Sequence, residues 1–128
     1  MANLLLVDDD AVLLGLLAKL LRRSGHAVTT AGSGAEALAL TAEQTFDLII
    51  TDVMMPDLDG YQLTRQLRSQ PGTHDTLILI FTSRLQGPDA DLAALAGSDG
   101  SMMKSVNVAR LNAVIEEMLA GRITPASE

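Results

Sequence analysis

Short apolar runs alternate with longer amphipathic stretches along the whole chain. Three continuous runs of Leu, Ile, Val and Phe are too short for helices, and polar residues follow each of them. This pattern is typical of parallel strands that are covered on both faces. Two further strands have weaker apolar patterns. The predicted strands cover residues 4–7, 26–31, 47–52, 77–81 and 98–104.

The stretches between these runs carry residues that start and stop helices. Asp10 has a side-chain oxygen that can cap the first helix, and Ser24-Gly25 ends it. Ser33 and Glu36 have the spacing of a capping box. The predicted helices cover about residues 11–23, 35–44, 60–70, 87–97 and 108–120.

Alternating strands and helices predict an α/β fold, in which helices cover both faces of a doubly wound parallel sheet. Right-handed crossovers limit its topology. Ligands of such folds bind at the carboxyl ends of the strands, where the strand order reverses. The residues that follow the strands are therefore the candidates for function.

Chemically useful side chains stand at four of these strand ends. Asp8 and Asp9 follow the first strand, and Asp52 follows the third. Thr82 follows the fourth strand, and Lys104 lies at the end of the fifth. Four separate segments thus bring three carboxylates, a hydroxyl and an ammonium to one sheet edge.

The three carboxylates predict a site for a hard cation, because clustered acids repel one another unless a cation joins them. Carboxylates without His or Cys suit Mg²⁺, and Mn²⁺ is an alternative. Asp52 is then the candidate nucleophile for a phosphoryl group. Lys104 and Thr82 are suited to holding the oxygens of that group, together with Mg²⁺.

Composition excludes several other classes of protein. The 128 residues have a formal net charge of −7, which argues against nonspecific binding of nucleic acid or of anionic membranes. The chain has no cysteine, so disulfides, thiolate catalysis and cysteine-bound zinc are excluded. No apolar run approaches the roughly 18 residues of a membrane span. A cytoplasmic location is expected.

Four motifs together resemble the receiver domains of two-component response regulators, including the chemotaxis regulators. They are Leu5-Leu6-Val7-Asp8-Asp9-Asp10, Thr51-Asp52-Val53-Met54-Met55-Pro56-Asp57-Leu58-Asp59-Gly60, Ile80-Phe81-Thr82-Ser83 and Lys104. The resemblance implies a flavodoxin-like sheet of order 2-1-3-4-5 with five helices. It implies a receiver domain over residues 1–121, followed by a flexible tail over residues 122–128.

The resemblance also assigns a role to each residue of the site. Asp52 would accept a phosphoryl group from a sensor histidine kinase or a histidine phosphotransfer protein. Asp9, Asp52 and the backbone carbonyl of Met54 would hold Mg²⁺, and Asp8 would help through water. Thr82 would move to bond the phosphoryl group, and Lys104 would pair with it. The domain would catalyse only its own phosphoryl transfer and dephosphorylation.

The same resemblance implies an output surface. The predicted fourth helix, fifth strand and fifth helix would switch on phosphorylation and contact a downstream protein. A homodimer through the fourth and fifth helices is left open. Whether the domain works alone or belongs to a larger regulator is also left open.

Three departures from the family pattern concern four positions. The family usually has an aromatic residue three positions before the lysine, whose rotamer couples to the threonine; here that position is Ser101. Ser105 replaces the usual proline after the lysine, and a cis peptide bond there would cost about 2.5–4 kcal/mol. Met54 and Arg84 occupy positions that tune dephosphorylation.

Two other functions remain as alternatives. A phosphohydrolase of the aspartyl-phosphate type would need a second carboxylate two residues after its nucleophile, where this chain has Met54. An interaction module with the same fold would not need phosphorylation at all, and Ser101 and Ser105 lend this alternative some weight.

Several polar residues are assigned structural roles. Asp10, Asp57 and Asp59 are expected to act in turns or as helix caps. His26 and His74 lie in turn-like sequence and are expected to be solvated.

Overall fold

The computed structural model describes residues 2–83, 96–104 and 107–121. In chain order its elements are β1 (Asn3–Val7), α1 (Ala11–Arg23), β2 (Ala27–Ala31), α2 (Gly34–Glu43), β3 (Leu48–Thr51), α3 (Gly60–Arg68), β4 (Leu77–Thr82), β5 (Gly100–Met103) and a C-terminal helix (Val108–Ala120). Each bound lies within two residues of its predicted place. None of the helices described is long and apolar enough to cross a membrane.

Three predictions fall on segments outside the described residues. They concern most of the predicted fourth helix (residues 87–95), the Lys104–Ser105 peptide bond and the predicted tail (residues 122–128). The described residues therefore contain four of the five predicted helices. Gly97, where the sequence predicts the end of the fourth helix, has a φ of +102°. This left-handed conformation is typical of glycine just after a helix.

The five strands form one parallel sheet in the order β2-β1-β3-β4-β5, which confirms the predicted fold class. Val7 of β1 pairs with Thr51 of β3, and Thr82 of β4 pairs with Met103 of β5. Because these pairs lie at the carboxyl ends of their strands, the residues that follow them emerge at the same edge of the sheet.

The core consists of two layers, one on each face of the sheet. Leu4 and Leu6 of β1 belong to the cluster beneath α1 and the C-terminal helix. Leu5 and Val7 belong to the cluster beneath α2 and α3. Successive residues of a strand point to opposite faces, so burial on both sides explains the continuous apolar runs of the sequence.

The helix caps largely follow the predictions. The Asp10 carboxylate accepts the N–H groups of the second and third residues of α1. Asp59 caps α3 in a capping box with Gln62. The Ser33 hydroxyl accepts the N–H of Glu36 at the start of α2, but the Glu36 carboxylate accepts the N–H of residue 32 instead of that of Ser33.

The prediction that His26 is solvated is wrong. Its side chain is only 4% exposed, and Nε2 lies 3.0 Å from Oε2 of Glu116 on the C-terminal helix. His26 directly precedes β2, where a helix 90 residues later in the sequence covers it, and no local pattern reveals that packing. His74 is exposed, as predicted.

Candidate functional site

Two acids meet at the centre of the sheet edge because β1 and β3 are neighbours. The N–H of Asp52 donates to the Val7 carbonyl at 2.9 Å, so Asp52 is held by the last residue of β1. Asp8 directly follows Val7. The Asp8 and Asp52 residues are only 5% and 6% exposed, respectively.

Asp9 completes a cluster of three carboxylates. Asp8, Asp9 and Asp52 each offer one oxygen, and these three oxygens lie within 4.8 Å of one another. Asp9 is exposed, and with Met54 it lines an open cleft of about 520 Å³ beside the cluster. The cluster is therefore reachable from solvent through the side that Asp9 and Met54 form.

Lys104 joins the two buried acids. Its Nζ lies 2.6 Å from Asp8 Oδ2 and 3.1 Å from Asp52 Oδ2. The Lys104 N–H donates to the Thr82 carbonyl at 2.8 Å, which places the lysine at the end of β4 and β5. Burial opposes the charged ammonium, but hydrogen bonds to Asp8 and Asp52 raise the pKa of Lys104 above its ordinary value.

The environment of Asp8 disfavours the charged form of its carboxylate. Burial raises the pKa of Asp8 and the charge of Asp52 adds to this, although the hydrogen bond from Lys104 and the N–H of Asp10 act in the opposite direction. One lysine thus compensates only part of the charge of two buried acids and an exposed one. A divalent cation would relieve the remainder, so the donor set fits a metal with hard oxygen ligands.

Two hydrogen bonds orient the Asp52 carboxylate. Its Oδ1 accepts the N–H of Val53 at 2.7 Å, and its Oδ2 accepts Lys104 Nζ. The start of α3 approaches the same backbone so closely that a Cβ on Gly60 would lie 2.3 Å from the Asp52 carbonyl oxygen. The glycine therefore allows the helix to begin against the backbone of Asp52.

Two more of the predicted residues lie at or near this edge. Thr82 is fully buried at the end of β4. Ser101 lies in β5, is partly buried and pairs with Ile80 of β4. Arg84, by contrast, falls outside the described residues.

Asp57 acts as a helix cap, a role that the sequence predicted, but the sequence did not identify which helix it caps. Its carboxylate accepts the N–H groups of Gly34 and Ala35, at 3.3 and 3.0 Å, and so caps α2 from the loop after β3. The bond from Ala35 is the main reason that the pKa of Asp57 lies below its ordinary value. An Asp in a turn predicts a cap, but only the tertiary structure identifies the preceding helix as its target.

Comparison with known proteins gives the same family throughout. The family model of the response regulator receiver domain matches residues 4–116. The chain is 37% identical to the transcriptional regulatory protein AfsQ1 of Streptomyces coelicolor over 119 residues, which are 93% of this chain but only 52% of that protein. It is 32% identical to the protein PilH of Pseudomonas aeruginosa, over 94% of this chain and the whole of PilH.

A solved structure extends the likeness to three dimensions. The receiver domain of the sensor histidine kinase PA1611 from Pseudomonas aeruginosa superposes with a TM-score of 0.86 and 28% identity, covering 93% of this chain and 98% of that domain. That structure has a magnesium ion coordinated in its active-site cleft. By its sequence, sheet order and match to the family model, this chain belongs to the response regulator receiver domains.

Proposed function

We propose that this receiver domain accepts a phosphoryl group on Asp52 from a phosphohistidine donor, on a sensor histidine kinase or a histidine phosphotransfer protein. One observation carries the proposal. The Asp52 carboxylate lies at the carboxyl edge of the sheet among two further acids, with Lys104 Nζ 3.1 Å from its Oδ2. A carboxylate in this setting combines a nucleophile with the charges that phosphoryl transfer requires.

The proposed metal site consists of Asp9, Asp52 and the backbone carbonyl of Met54, with Asp8 acting through water. Three carboxylate oxygens within 4.8 Å and the raised pKa of Asp8 support a cation there. The magnesium ion in the receiver of PA1611 also supports it. Bound Mg²⁺, or Mn²⁺ in its place, would supply positive charge that neutralises the approaching phosphoryl oxygens.

The transfer itself is a substitution at phosphorus. A P–O bond forms to an Asp52 oxygen while the P–N bond to the donor imidazole breaks, and the imidazole leaves with the electron pair of that bond. Lys104 then exchanges its contact with Asp52 for one with a phosphoryl oxygen. The Thr82 hydroxyl donates to a second oxygen. Both groups start beside each other, because the Lys104 N–H bonds to the Thr82 carbonyl.

The proposed domain acts in signalling and catalyses only its own phosphorylation and dephosphorylation. Its proposed downstream partner is a protein that docks on the face formed by the predicted fourth helix, β5 and the C-terminal helix. We place the domain in the cytoplasm, with which the absence of cysteine is consistent.

Intact mass after incubation with acetyl phosphate and Mg²⁺ tests this function. The wild-type chain should gain one phosphoryl group in a form that is stable to acid and labile to base, and the adduct should require Mg²⁺. Asp52→Asn should abolish it. Asp10→Asn is the matched control, since Asp10 is a nearby exposed acid whose capping role asparagine preserves.

Three results would contradict the proposal. An adduct that persists in Asp52→Asn would place the acceptor elsewhere. No adduct, in a protein shown by circular dichroism to be folded, would favour an interaction module that works without phosphorylation. Release of phosphate at many turnovers per chain would instead indicate a phosphohydrolase.

A further inference from the structure

Tyr61 packs on two apolar side chains that connect it to the proposed phosphorylation site. It lies in the first turn of α3 and is partly exposed, and its side chain packs against Val53 and Ile80. Val53 and Ile80 are themselves 7% and 0% exposed. The ring therefore covers a small buried cluster that is separate from the two main core layers.

Val53 links this cluster to the acceptor carboxylate. Its N–H donates to Asp52 Oδ1 at 2.7 Å, and its carbonyl accepts the N–H of Gly60 at 3.0 Å. Phosphorylation would convert the charged carboxylate into a neutral acyl group and so weaken the first of these bonds. Phosphorylation of Asp52 would thus alter a hydrogen bond of Val53, the residue against which Tyr61 packs.

Ile80 links the cluster to Thr82 and Ser101. It lies two residues before Thr82 on β4, so the two side chains face the same side of the sheet. It also pairs directly with Ser101 of β5, which places the serine on the same face beside it. A serine there occupies much less volume than an aromatic residue.

The other two aromatic residues do not lie in this cluster. Phe81 belongs to the core layer beneath α1 and the C-terminal helix, and Phe46 belongs to the layer beneath α2 and α3. Since the chain has one tyrosine, two phenylalanines and no tryptophan, Tyr61 is the aromatic side chain that packs on Ile80.

We propose that Tyr61 carries the conformational response to phosphorylation, by moving its ring across Ile80 toward Ser101. The inference rests on the proposed function of Asp52. In the unphosphorylated state the ring stays partly exposed on Val53 and Ile80. In the phosphorylated state the ring occupies the place beside Ser101, and the exposed surface at the start of α3 changes shape. The aromatic side chain that responds is thus supplied by α3 instead of β5.

Tyrosine fluorescence tests this directly, because Tyr61 is the sole tyrosine and there is no tryptophan. Quenching by acrylamide should decrease when the chain is phosphorylated with acetyl phosphate and Mg²⁺, and Asp52→Asn should show no decrease. Acrylamide is neutral, so the charge of the new phosphoryl group does not itself alter the quenching. Intact mass of the same samples reports phosphorylation independently.

Variants at position 101 distinguish movement of the ring from a general change of the site. Ser101→Phe should fill the place beside Ile80 and abolish the decrease in quenching, while phosphorylation by mass persists. Ser101→Ala is the matched control and should keep the decrease, because the alanine side chain is no larger than that of serine.

The possible outcomes separate the role of Tyr61, the movement of its ring toward Ser101 and the proposed function of Asp52. Phosphorylation by mass with unchanged quenching in the wild-type chain would overturn the role of Tyr61 and leave the proposed function intact. An equal decrease in Ser101→Phe would overturn the movement toward Ser101. Absence of the phosphoryl adduct from the wild-type chain would overturn the proposed function and the inference with it.

Discussion

Gly60→Ala should destabilise the protein, although alanine is ordinarily the better helix former. The added Cβ would lie 2.3 Å from the Asp52 carbonyl oxygen and 3.0 Å from the Val53 Cα. Nonbonded carbon contacts are normally about 3.5–4.0 Å, so the start of α3 or the end of β3 would have to move by about 1 Å.

Neither side of this contact can move freely. The N–H of Asp52 is bonded to the Val7 carbonyl at 2.9 Å, which holds the strand end in the sheet. The helix start is held by the bond from the Gly60 N–H to the Val53 carbonyl, and by the bond from the Thr64 hydroxyl to the Gly60 carbonyl. Overpacking of this kind costs about 1–3 kcal/mol. A helix-propensity gain of up to about 1 kcal/mol offsets part of it, so we expect a net loss of about 1–2 kcal/mol.

Urea unfolding measures this loss, and Gly15→Ala provides the control. Gly15 lies inside α1, and a Cβ there would meet nothing within 4 Å. Gly15→Ala should therefore stabilise the protein by about 0.5–1 kcal/mol. Gly60→Ala should also slow phosphorylation of Asp52 by up to about 100-fold, because a displacement of about 1 Å misplaces the nucleophile.

The central expectation is that Gly60→Ala lowers the free energy of unfolding whereas Gly15→Ala raises it. If Gly60→Ala unfolded at the same urea concentration as the wild-type chain and was phosphorylated at the same rate, the close approach of α3 to Asp52 would be wrong. If both alanines destabilised the protein equally, the effect would not come from the Asp52 contact. Normal stability with slow phosphorylation would indicate that the backbone yields and the carboxylate moves with it.

Three further perturbations test other parts of the structure. The N–H of Ala35 holds the pKa of Asp57 below its ordinary value, so the Asp57 carboxylate adds stability above pH about 4 that is lost as the pH falls through the lowered pKa. In Asp57→Asn the unfolding free energy should therefore fall less steeply as the pH is lowered below about 4. An unchanged dependence on pH would show that the Asp57 carboxylate does not cap α2. Lys104→Met removes a positive charge that competes with a metal ion, so Mg²⁺ affinity by titration calorimetry should rise about tenfold. Weaker binding would mean that the lysine organises the acids instead of competing for them. Arg68 donates to four backbone carbonyls and to the Asp99 carboxylate, so Arg68→Lys should lower the unfolding free energy by about 2 kcal/mol in urea. A loss of less than about 1 kcal/mol would show that the hydrogen bonds of the Arg68 guanidinium contribute little to stability.

Much of the candidate site was predictable because it depends on strand ends. A continuous apolar run marks a buried strand, and the residue after the run must emerge at the edge of the sheet. Asp8, Asp52 and Thr82 were predicted in this way, and the described structure places each at the end of its strand. The meeting of these strands also follows from general rules for parallel sheets.

Contacts between distant segments were not predictable in the same way. The ammonium of Lys104 lies against Asp8, 96 residues away in the sequence, and spacing does not reveal which of its possible partners it contacts. His26 appeared to lie in a solvated turn because the C-terminal helix that covers it is absent from its local sequence. Asp57 was expected to act in a turn or as a helix cap, but only the position of α2 identifies the helix that it caps.

Local sequence patterns were enough to predict the succession of strands and helices along the chain, the fold class and the acids at the sheet edge. These depend on periodicity and on short-range rules for caps and turns, which act within a few residues. The packing of Tyr61 on Val53 and Ile80, and the close approach of Gly60 to the Asp52 backbone, became known from the three-dimensional structure alone. Such contacts depend on how β3, α3 and β4 pack in three dimensions, and packing joins residues that no local pattern connects.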